Sequence, residues 1–544
     1  MGIYVNPGNS AFSEIADDDY VDKTALIGFI NDTIGSKNKL TCVSRPRRFG
    51  KTYAAKMLGA YYDRSCDSHS LFDNRSVALT GNYSKHINNY NVICFDVTSF
   101  ISDVKAVNGS LRDVPKNIQE ALKRDLINQG FVYSEGDSLN DFMFSCVDQS
   151  EGKQFIFIID EWDAVIREGK DDDLAQEAFL NLLRGWFKSV SFTPRVVAAA
   201  YITGILPIKK DGSQSAISDF REYSVLDPGE FSLYVGFTED EVASLCRRSG
   251  NSFDSMKKWY DGYTFGDKKS VYNPYSVMHA LKSGKYKSYW KKTSAAETLL
   301  TYINMDQDGL QDDIIRLMSG DSITIDPDSF QNDVETFNSK DDVMTLMVHL
   351  GYLTYEETSD ALTGSDDNYT GRVRIPNEEI RSEFDKVLRR SDHEKLISLV
   401  RESDRLLEDT IAGNEEAVAR AITKVRDSNY APVFYNNEQS LRYVIKMAYI
   451  SCVDQYLRIE ELPSGKGLAD VVFIPKASSS LPAMIVELKW NKTADGAIEQ
   501  IKDRKYTGVL KDYFGNILLV GINYNERTGE HSCRIEKDSI GKNE

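Results

Sequence analysis

The sequence predicts an α/β protein with a parallel sheet in its N-terminal half and a second, smaller α/β region near its C-terminus. A strand-like apolar run leads into the loop at residues 45–50, and a helical stretch follows it. Five consecutive apolar residues precede Asp160, which is typical of a strand buried on both faces of a parallel sheet. Strand-like and helical segments alternate between residues 40 and 205, which favours parallel α/β packing.

The loop and its flanks form the first candidate site, with the sequence RPRRFGKT at residues 45–52. Phosphates bind well to the free N–H groups at a helix N-terminus. In the matching phosphate-loop pattern, Lys51 would reach the β/γ-phosphates, Thr52 would hold Mg²⁺ and Gly50 would let the backbone approach closely. The general pattern has Gly where this chain has Arg45. Taken alone, the stretch therefore also fits an ordinary basic turn before a surface helix.

Acidic residues follow the apolar run at 155–159 and form the second candidate site. Parallel sheets bind ligands at the carboxyl ends of their strands. Asp160 suits the Mg²⁺ shell of a nucleotide, and Glu161 suits the base that orients an attacking water. Thr203, near the end of the predicted strand 195–205, stands where an ATPase senses the γ-phosphate. A strand-end threonine without a role is the alternative.

The remaining N-terminal segments complete a predicted core at residues 1–228. Its further predicted elements are helices at 25–34, 52–62, 114–129 and 174–187 and a strand at 91–97. Residues 229–285 are rich in aromatic side chains and are predicted to form a small helical lid, with those side chains in its core. Thr238 with Glu241 fits a helix capping box.

Residues 286–430 are predicted to form a winged-helix-like module followed by a helical connector. A helix at 344–353 precedes two paired strands, at 352–355 and 373–375, that flank a polar loop. The loop spans residues 358–369. Such a module can contact DNA or serve as a structural arm, and its acidic charge favours the arm. Heptad-like spacing at 391–430 predicts the connector helices.

Residues 431–544 carry a second set of chemistry. Asp470 is predicted to start an apolar strand, and the alternation of the next strand places Glu487 and Lys489 on one face. If these strands pair, Asp470 lies beside both residues. Glu438 lies on a helix predicted to run from Asn437 to about Tyr449.

Two carboxylates with oxygen ligands suit Mg²⁺, and Glu438 could complete the ligand set with Asp470 and Glu487. A metal held there would polarise a phosphoryl oxygen and help to make hydroxide from water. Lys489 would position that water or neutralise developing charge. A following helix could meet a phosphodiester backbone through Gln500, Lys502, Arg504 and Tyr506. The alternative is an amphipathic hairpin whose Glu and Lys form a surface pair.

Length and composition limit the number of domains and the classes of function that the chain can have. The chain has 544 residues, which suggests three or four domains, and 41% hydrophobic residues, ample for packed cores. Its seven cysteines are scattered, so neither a disulfide framework nor a zinc site is expected. No signal segment or membrane span is expected, and a reducing cytoplasm fits. The net charge of −18 argues against general nucleic-acid coating, but residues 431–544 are neutral and could meet nucleic acid locally.

The quoted motifs resemble two known families. The N-terminal part resembles the AAA-ATPase-like family through YVDKT (20–24), RPRRFGKT (45–52), IIDEWD (158–163) and ITG (202–204). The C-terminal part resembles the PD-(D/E)XK nuclease superfamily through NEQSLR (437–442), GKGLAD (465–470) and VELKW (486–490). RPRRFGK looks like the first family's own variant of the phosphate loop.

The resemblance implies a P-loop ATPase coupled to metal-dependent cleavage of DNA or RNA, with mobile-element or defence roles suspected. ATP would contact Arg48, Phe49 and the residues from Gly50 to Thr52, together with Asp160 and Thr203. Catalysis would rest on Glu161 in the ATPase and on Asp470, Glu487 and Lys489 in the nuclease-like domain. Nucleotide-driven motion of the lid and arm would regulate cleavage.

Two alternatives stay open. In the first, the chain is a signalling ATPase whose C-terminal domain binds a partner or nucleic acid without cleaving it. In the second, it is an assembly protein that uses ATP to form homo-oligomers. The acidic body favours the first alternative, and the intact triad speaks against it.

Overall fold

The fold is described by a computed structural model that comprises two compact units, Met1–Tyr289 with Thr324–Val373 and Trp290–Ile323 with Arg374–Glu544. The predicted region 286–430 is thus shared between both units. The structure describes residues 2–16, 19–208, 217–290, 309–330, 339–357, 370–389, 394–429, 435–464, 467–475, 481–504, 510 and 516–539. Among these residues, no helix combines the length and the apolar character that crossing a bilayer requires.

A five-stranded parallel sheet forms the centre of the first unit and confirms the predicted α/β architecture. The strands are β1 (Leu40–Ser44), β2 (Asn91–Asp96), β3 (Phe155–Asp160), β4 (Val197–Gly204) and β5 (Arg221–Tyr223). Their order is β2-β3-β4-β1-β5, and every neighbouring pair is parallel. Every residue of β1, β3 and β4 is buried, as the continuous apolar runs predict.

Helices cover this sheet, and the four predicted ones match observed helices to within a few residues, whereas the sequence analysis does not predict the others. The helices are Ser10–Ser13, Ala25–Thr33, Lys51–Tyr62, His69–Phe72, Tyr83–His86, Val97–Ala106, Val114–Asn128, Leu139–Gln149, Ala164–Glu168, Asp173–Phe187 and Phe192–Val196. Phe157 on β3 packs against Trp186 and Phe187, with ring centroids 5.5 and 5.4 Å away. This packing anchors β3, whose carboxyl end carries the candidate residue Asp160.

The segment predicted as a small helical lid contains helices and, in addition, two strands that the sequence analysis does not predict. Its helices are Glu239–Ser249, Phe253–Tyr260 and Pro274–Ser283. Between them lies an antiparallel hairpin of β6 (Tyr263–Phe265) and β7 (Lys268–Val271). Gly266 has φ +58°, and a left-handed residue of this kind permits the tight turn. The predicted capping box of Thr238 and Glu241 is confirmed.

The middle region contains the predicted strand pair and one further strand. Its sheet has the order β8-β10-β9, formed by β8 (Ile323–Ile325), β9 (Thr354–Glu357) and β10 (Gly371–Arg374). The helix Lys340–Leu350 precedes β9 and ends at Gly351, which has φ +86°. The predicted polar loop 358–369 lies outside the described residues.

The second unit is organised around a mixed sheet in the order β11-β12-β13-β14-β15. The strands are β11 (Tyr456–Ser464), β12 (Gly467–Pro475), β13 (Ala483–Trp490), β14 (Asn516–Asn525) and β15 (Glu530–Ser539). The strands β13 and β14 are parallel, whereas the other neighbouring pairs are antiparallel. Asp470 lies within β12 and does not start it, because the pairing with β11 extends to Gly467.

Helices of the second unit pack around this sheet. They are Leu310–Ser319, Glu378–Leu388, Glu394–Ala412, Glu415–Asn429, Glu438–Ala448 and Ala494–Asp503. The helix at 415–429, predicted as part of a connector, packs against β15. There Glu415 Oε1 accepts a hydrogen bond of 2.9 Å from the Ile535 amide. A fragment that starts at residue 431 would therefore lack a helix that covers the sheet.

Candidate functional site

The loop after β1 has the geometry of a phosphate loop. The buried strand ends at Ser44, and the helix Lys51–Tyr62 starts directly after Gly50. Gly50 has φ +94°, a conformation that costs a residue with a Cβ more than it costs glycine. A Cβ on Gly50 would meet no heavy atom within 4 Å, so it is the backbone conformation that calls for glycine. Thr52 is exposed at the start of the helix.

The Lys51 ammonium lies folded over the loop. Its Nζ donates to the carbonyl oxygens of Arg45 and Pro46 at 3.0 and 3.1 Å. The Lys51 Nζ also lies 3.9 Å from Glu161 Oε1, and only 4% of the Lys51 side chain is exposed. Burial lowers the pKa of Lys51, and the nearby carboxylates of Glu161 and Asp160 oppose that shift. A cation held in this way can meet the anionic phosphates of a nucleotide.

The strand order brings Asp160 and Thr203 together. Because β4 lies between β1 and β3, its end is adjacent to both the loop and the acidic turn. Thr203 pairs in register with Val43 of β1, and its hydroxyl donates to Asp160 Oδ1. The Trp162 amide donates to the Thr203 carbonyl at 2.9 Å. The predicted residues of the first site thus converge at the carboxyl edge of the sheet.

Glu161 is held in an unusual conformation by neighbours that the sequence analysis missed. Its φ is +52°, which a non-glycine residue rarely adopts. Its carboxylate forms an ion pair with Arg167, whose Nε donates to Asp163 Oδ2 at 3.0 Å. Burial raises the pKa of Glu161, whereas the charge of Lys51 lowers it. The i,i+4 spacing of Asp163 and Arg167 is the signal that could have indicated this arrangement.

Asp163 anchors the acidic turn to β4. It is fully buried, and its Oδ2 accepts hydrogen bonds from the amides of Ile205 and Leu206 at 3.1 and 2.9 Å. A Cβ on Gly204 would lie 2.9 Å from Asp163 Oδ1, so only glycine permits this close approach. Asp163 therefore fixes Arg167, and Arg167 in turn fixes the Glu161 carboxylate.

Arg45, the residue that replaces the first glycine of the general pattern, has a structural role. Its side chain is fully buried, and its Nη1 donates to the carbonyls of Ser44, Tyr223 and Ser224 at 2.9, 2.7 and 2.6 Å. The guanidinium also lies over the Phe265 ring, 4.9 Å from its centroid. Arg45 therefore ties the start of the phosphate loop to the end of β5.

We expect Arg45→Met to lower the free energy of unfolding by about 2–4 kcal/mol, because it leaves three buried carbonyl groups without their donor. Arg221→Met on the same strand, β5, removes an exposed arginine and serves as the control. Denaturant titration without nucleotide measures both variants. Equal unfolding free energies for the two variants would contradict the structural role of Arg45.

Two residues predicted to contact nucleotide, Arg48 and Phe49, also make contacts away from the phosphate loop. Phe49 is 1% exposed, its ring lies 5.0 Å from that of Tyr263, and its carbonyl accepts from the Gly236 amide at 3.0 Å. Arg48 Nη1 donates to the Tyr289 carbonyl at 2.8 Å, and its guanidinium lies 4.5 Å from the Tyr275 ring centroid. The loop backbone remains for phosphate binding, and nucleotide contact by Arg48 and Phe49 stays a prediction.

This geometry agrees with a comparison against protein-family models. Residues 7–213 match the AAA-ATPase-like family, described as a predicted AAA-ATPase. The matched segment contains β1 to β4, Lys51, Asp160, Glu161 and Thr203 and does not reach the second unit. The match supports an ATPase of the P-loop type for the first unit. A comparison with curated proteins found no match.

Solved structures with some similarity include two archaeal proteins. One is a Walker-type ATPase of Pyrococcus abyssi, with 12% identity, a TM-score of 0.31 and coverage of 68% of this chain and 97% of that chain. The other is the ORC2 protein of Aeropyrum pernix in ADPNP-ADP complexes, with 12% identity, a TM-score of 0.33 and coverage of 69% and 97%. TM-scores this low do not establish a shared overall fold.

The second candidate site lies where β12 and β13 stop exchanging backbone hydrogen bonds. Their pairing includes Val471 with Val486 and does not continue to Asp470 and Glu487. Instead, Asp470 Oδ2 accepts a hydrogen bond from the Leu488 amide at 2.9 Å. Lys489 Nζ donates to Glu487 Oε1 at 2.9 Å. The predicted Asp470, Glu487 and Lys489 thus lie together, and all three are buried.

Glu487 is the most perturbed acid of this group. Only 2% of the residue is exposed, and burial together with the charge of Asp470 raises its pKa to about 7. The charge of Glu438, on the helix Glu438–Ala448, contributes to the same shift. Glu487 Oε2 is buried without a hydrogen-bond partner among the described residues. This free acceptor is what a cation site requires.

The helix Ala494–Asp503 supplies a further partner for Glu487. Gln500 donates through Nε2 to Glu487 Oε1, so it contacts the acid rather than lying free for a phosphodiester. Lys502 forms an ion pair of 2.5 Å with Glu536. The predicted contact residue Tyr506, and Gly465 and Lys466 of the GKGLAD motif, lie outside the described residues.

Asp470, Glu487 and Glu438 are not arranged as a complete set of metal ligands. Within the described ranges, no group of three or more His, Cys, Asp or Glu residues is arranged to hold a metal ion. Asp470 and Glu487 provide two buried carboxylates, and Glu487 contributes the unpartnered oxygen. The donor set fits a divalent cation bound by these two residues, with Glu438 as a third ligand only after rearrangement.

Proposed function

We propose that the chain binds and hydrolyses ATP in its first unit and that its second unit is a Mg²⁺-dependent phosphodiesterase acting on DNA or RNA. The proposal couples the two activities, so that the nucleotide state of the first unit regulates the second. Its main support is the convergence of Lys51, Asp160, Glu161 and Thr203 at one edge of a parallel sheet, within the segment that matches an ATPase family.

In the ATPase site, the backbone after Gly50 would bind the phosphates at the helix N-terminus. Lys51 would leave the carbonyls of Arg45 and Pro46 and pair with the β- and γ-phosphates. Thr52 and Asp160 would hold Mg²⁺, which when bound neutralises charge on the phosphates. Glu161 would accept the proton of the attacking water, while Arg167 keeps its carboxylate oriented.

In the second unit, Asp470 and Glu487 would hold Mg²⁺, which when bound polarises a phosphoryl oxygen. Lys489 lies 2.9 Å from Glu487 and would position the attacking water or neutralise charge on the phosphate. The support for this site is the burial of both acids together with the unpartnered Glu487 Oε2. A buried acceptor without a hydrogen-bond partner is uncommon and calls for an explanation, and a bound cation would supply one.

One observation favours a signalling ATPase whose C-terminal domain binds without cleaving. Asp470 is already paired with Arg442, and the described acids form no three-ligand cage. Under that function, Asp470→Ala would leave the binding of nucleic acid or a partner intact, and the wild type would cut no DNA or RNA.

ATP turnover by the purified full-length chain tests the first part of the proposal. Lys51→Ala should abolish turnover because it removes the cation that meets the phosphates. Lys56→Ala, an exposed lysine on the same helix, is the control and should retain wild-type turnover. Turnover that persists in Lys51→Ala would place hydrolysis elsewhere.

A further inference from the structure

Arg442 forms ion pairs with Asp470 of the phosphodiesterase-like site and with Glu461 on the neighbouring strand β11. It lies on the helix Glu438–Ala448 and is mostly enclosed, with 17% of its side chain exposed. Its Nη2 lies 2.6 Å from Asp470 Oδ1, and its Nη1 lies 2.5 Å from Glu461 Oε1. Glu461 is more exposed, at 56%, and belongs to β11. One guanidinium therefore bridges a buried acid and an exposed acid.

This bridge leaves little of the acid pair free for a cation. Asp470 Oδ1 is taken by Arg442, and its Oδ2 by the Leu488 amide. Glu487 Oε1 is taken by Lys489 and Gln500, which leaves Oε2 as its free oxygen. Arg442 and Lys489 thus offset much of the negative charge of Asp470 and Glu487 without a metal ion.

Arg442 is charged whenever the site is assembled. Burial opposes its charge, but the hydrogen bond to Glu461 and the charge of Asp470 outweigh burial and raise its pKa. Its Nε is buried and has no hydrogen-bond partner among the described residues. The guanidinium therefore keeps its positive charge while one of its donors remains unused.

We propose that Arg442 is a cation gate: it competes with the divalent metal ion for Asp470 and, when the ion binds, leaves Asp470 and remains paired with Glu461 alone. The proposal rests on the proposed phosphodiesterase function and describes how that site is regulated. A divalent ion must displace Nη2 from Asp470 Oδ1 to gain both carboxylates. Glu461 already holds Nη1, so the displaced side chain keeps one acid partner. The competition lowers metal affinity in the resting protein.

The gate predicts that removing the arginine strengthens metal binding. In Arg442→Gln, no guanidinium offsets the negative charge of Asp470 or occupies its Oδ1, and Mn²⁺ should bind about tenfold more tightly than to the wild type. Glu461→Gln should have the opposite effect, because it removes the acid that would retain the displaced guanidinium. A role for Arg442 in folding alone would not strengthen metal binding.

The test is a titration of the full-length chain with Mn²⁺ alone, followed by electron paramagnetic resonance of the free ion at constant pH. Arg420→Gln removes one exposed positive charge of the same unit and should leave the affinity unchanged. Asp470→Asn should weaken binding strongly. Arg442→Lys serves if Arg442→Gln fails to fold, because a single ammonium bridges two acids less well, and it should tighten binding by a smaller factor.

The outcomes separate the gate from the function on which it rests. Tighter Mn²⁺ binding by Arg442→Gln, weaker binding by Glu461→Gln and no change in Arg420→Gln would support the gate. Equal or weaker binding by a folded Arg442→Gln or Arg442→Lys would overturn the gate and leave the metal site standing. If neither the wild type nor the Arg442 variants bind Mn²⁺, the proposed metal-dependent phosphodiesterase itself fails.

Discussion

The Glu161→Gln variant is expected to bind ATP with nearly the affinity of the wild type and to hydrolyse it at least about a hundredfold more slowly. The amide keeps the size and the hydrogen-bonding shape of the side chain but cannot accept the proton of the attacking water. Lys51 and the loop backbone, which would bind the phosphates, are unchanged. A loss of kcat without a comparable change in KM would show that the carboxylate acts after binding.

The structure offers a matched control for this variant. Glu168 lies on the same short helix as Arg167 and pairs with Lys105 at the surface, so Glu168→Gln should turn over ATP normally. Single-turnover measurements with labelled ATP separate binding from hydrolysis. A Glu161→Gln variant with unchanged kcat would show that another group activates the water, and the ion pair with Arg167 would then be only structural.

The Glu487→Gln variant is expected to lose at least about a hundredfold in the rate of cleavage of DNA or RNA, because it removes a buried carboxylate that would hold the metal ion. The substitution is nearly isosteric, and burial already raises the pKa of Glu487 to about 7, so the fold should tolerate a neutral side chain there. A comparable melting temperature for the variant and the wild type would confirm that the fold is intact.

Cleavage assays need DNA and RNA substrates, Mg²⁺ or Mn²⁺, and samples with and without ATP. Glu499→Gln changes an exposed acid beside Gln500 and should cut like the wild type. If Glu487→Gln and the wild type cut equally, the activity comes from elsewhere or from a contaminant. If the wild type cuts no substrate under any condition, the non-cleaving signalling function gains support.

Local sequence patterns were sufficient for much of the architecture. The strand-loop-helix around Lys51 and the buried strand before Asp160 each depend on a short continuous segment, and both are confirmed. Asp160 and Thr203 were each placed at the end of a predicted strand, and the structure shows that these two ends meet at one edge of the parallel sheet. Alternation on β13 likewise placed Glu487 and Lys489 together.

Local sequence patterns could not predict contacts between distant segments of the chain. Arg45 was identified only as a departure from a glycine, because its partners Tyr223 and Ser224 lie almost 180 residues further along the chain. Arg442 was part of a quoted motif, but its bridge to Glu461 and Asp470 depends on the pairing of β11 with β12. Such tertiary contacts override what a local pattern can indicate.

The lid is a second example of a structure that local sequence patterns did not predict. The aromatic side chains of its run are buried, as predicted, but within the segment predicted as helical, Tyr263 to Phe265 form a strand. Phe49 from the phosphate loop packs against the rings of Tyr263 and Phe265, and the Tyr263 hydroxyl donates to the Gly351 carbonyl at 2.8 Å. Aromatic residues favour strands, and the packing of Tyr263 on the loop and on the segment around Gly351 adds to that preference.

The most direct test of the central claim is ATP turnover by the full-length wild type and Lys51→Ala, each measured with and without DNA or RNA. The account predicts turnover by the wild type that nucleic acid stimulates, and none by Lys51→Ala under either condition. Turnover that Lys51→Ala retains, or a wild type that hydrolyses no ATP in the presence of Mg²⁺ and nucleic acid, would contradict it.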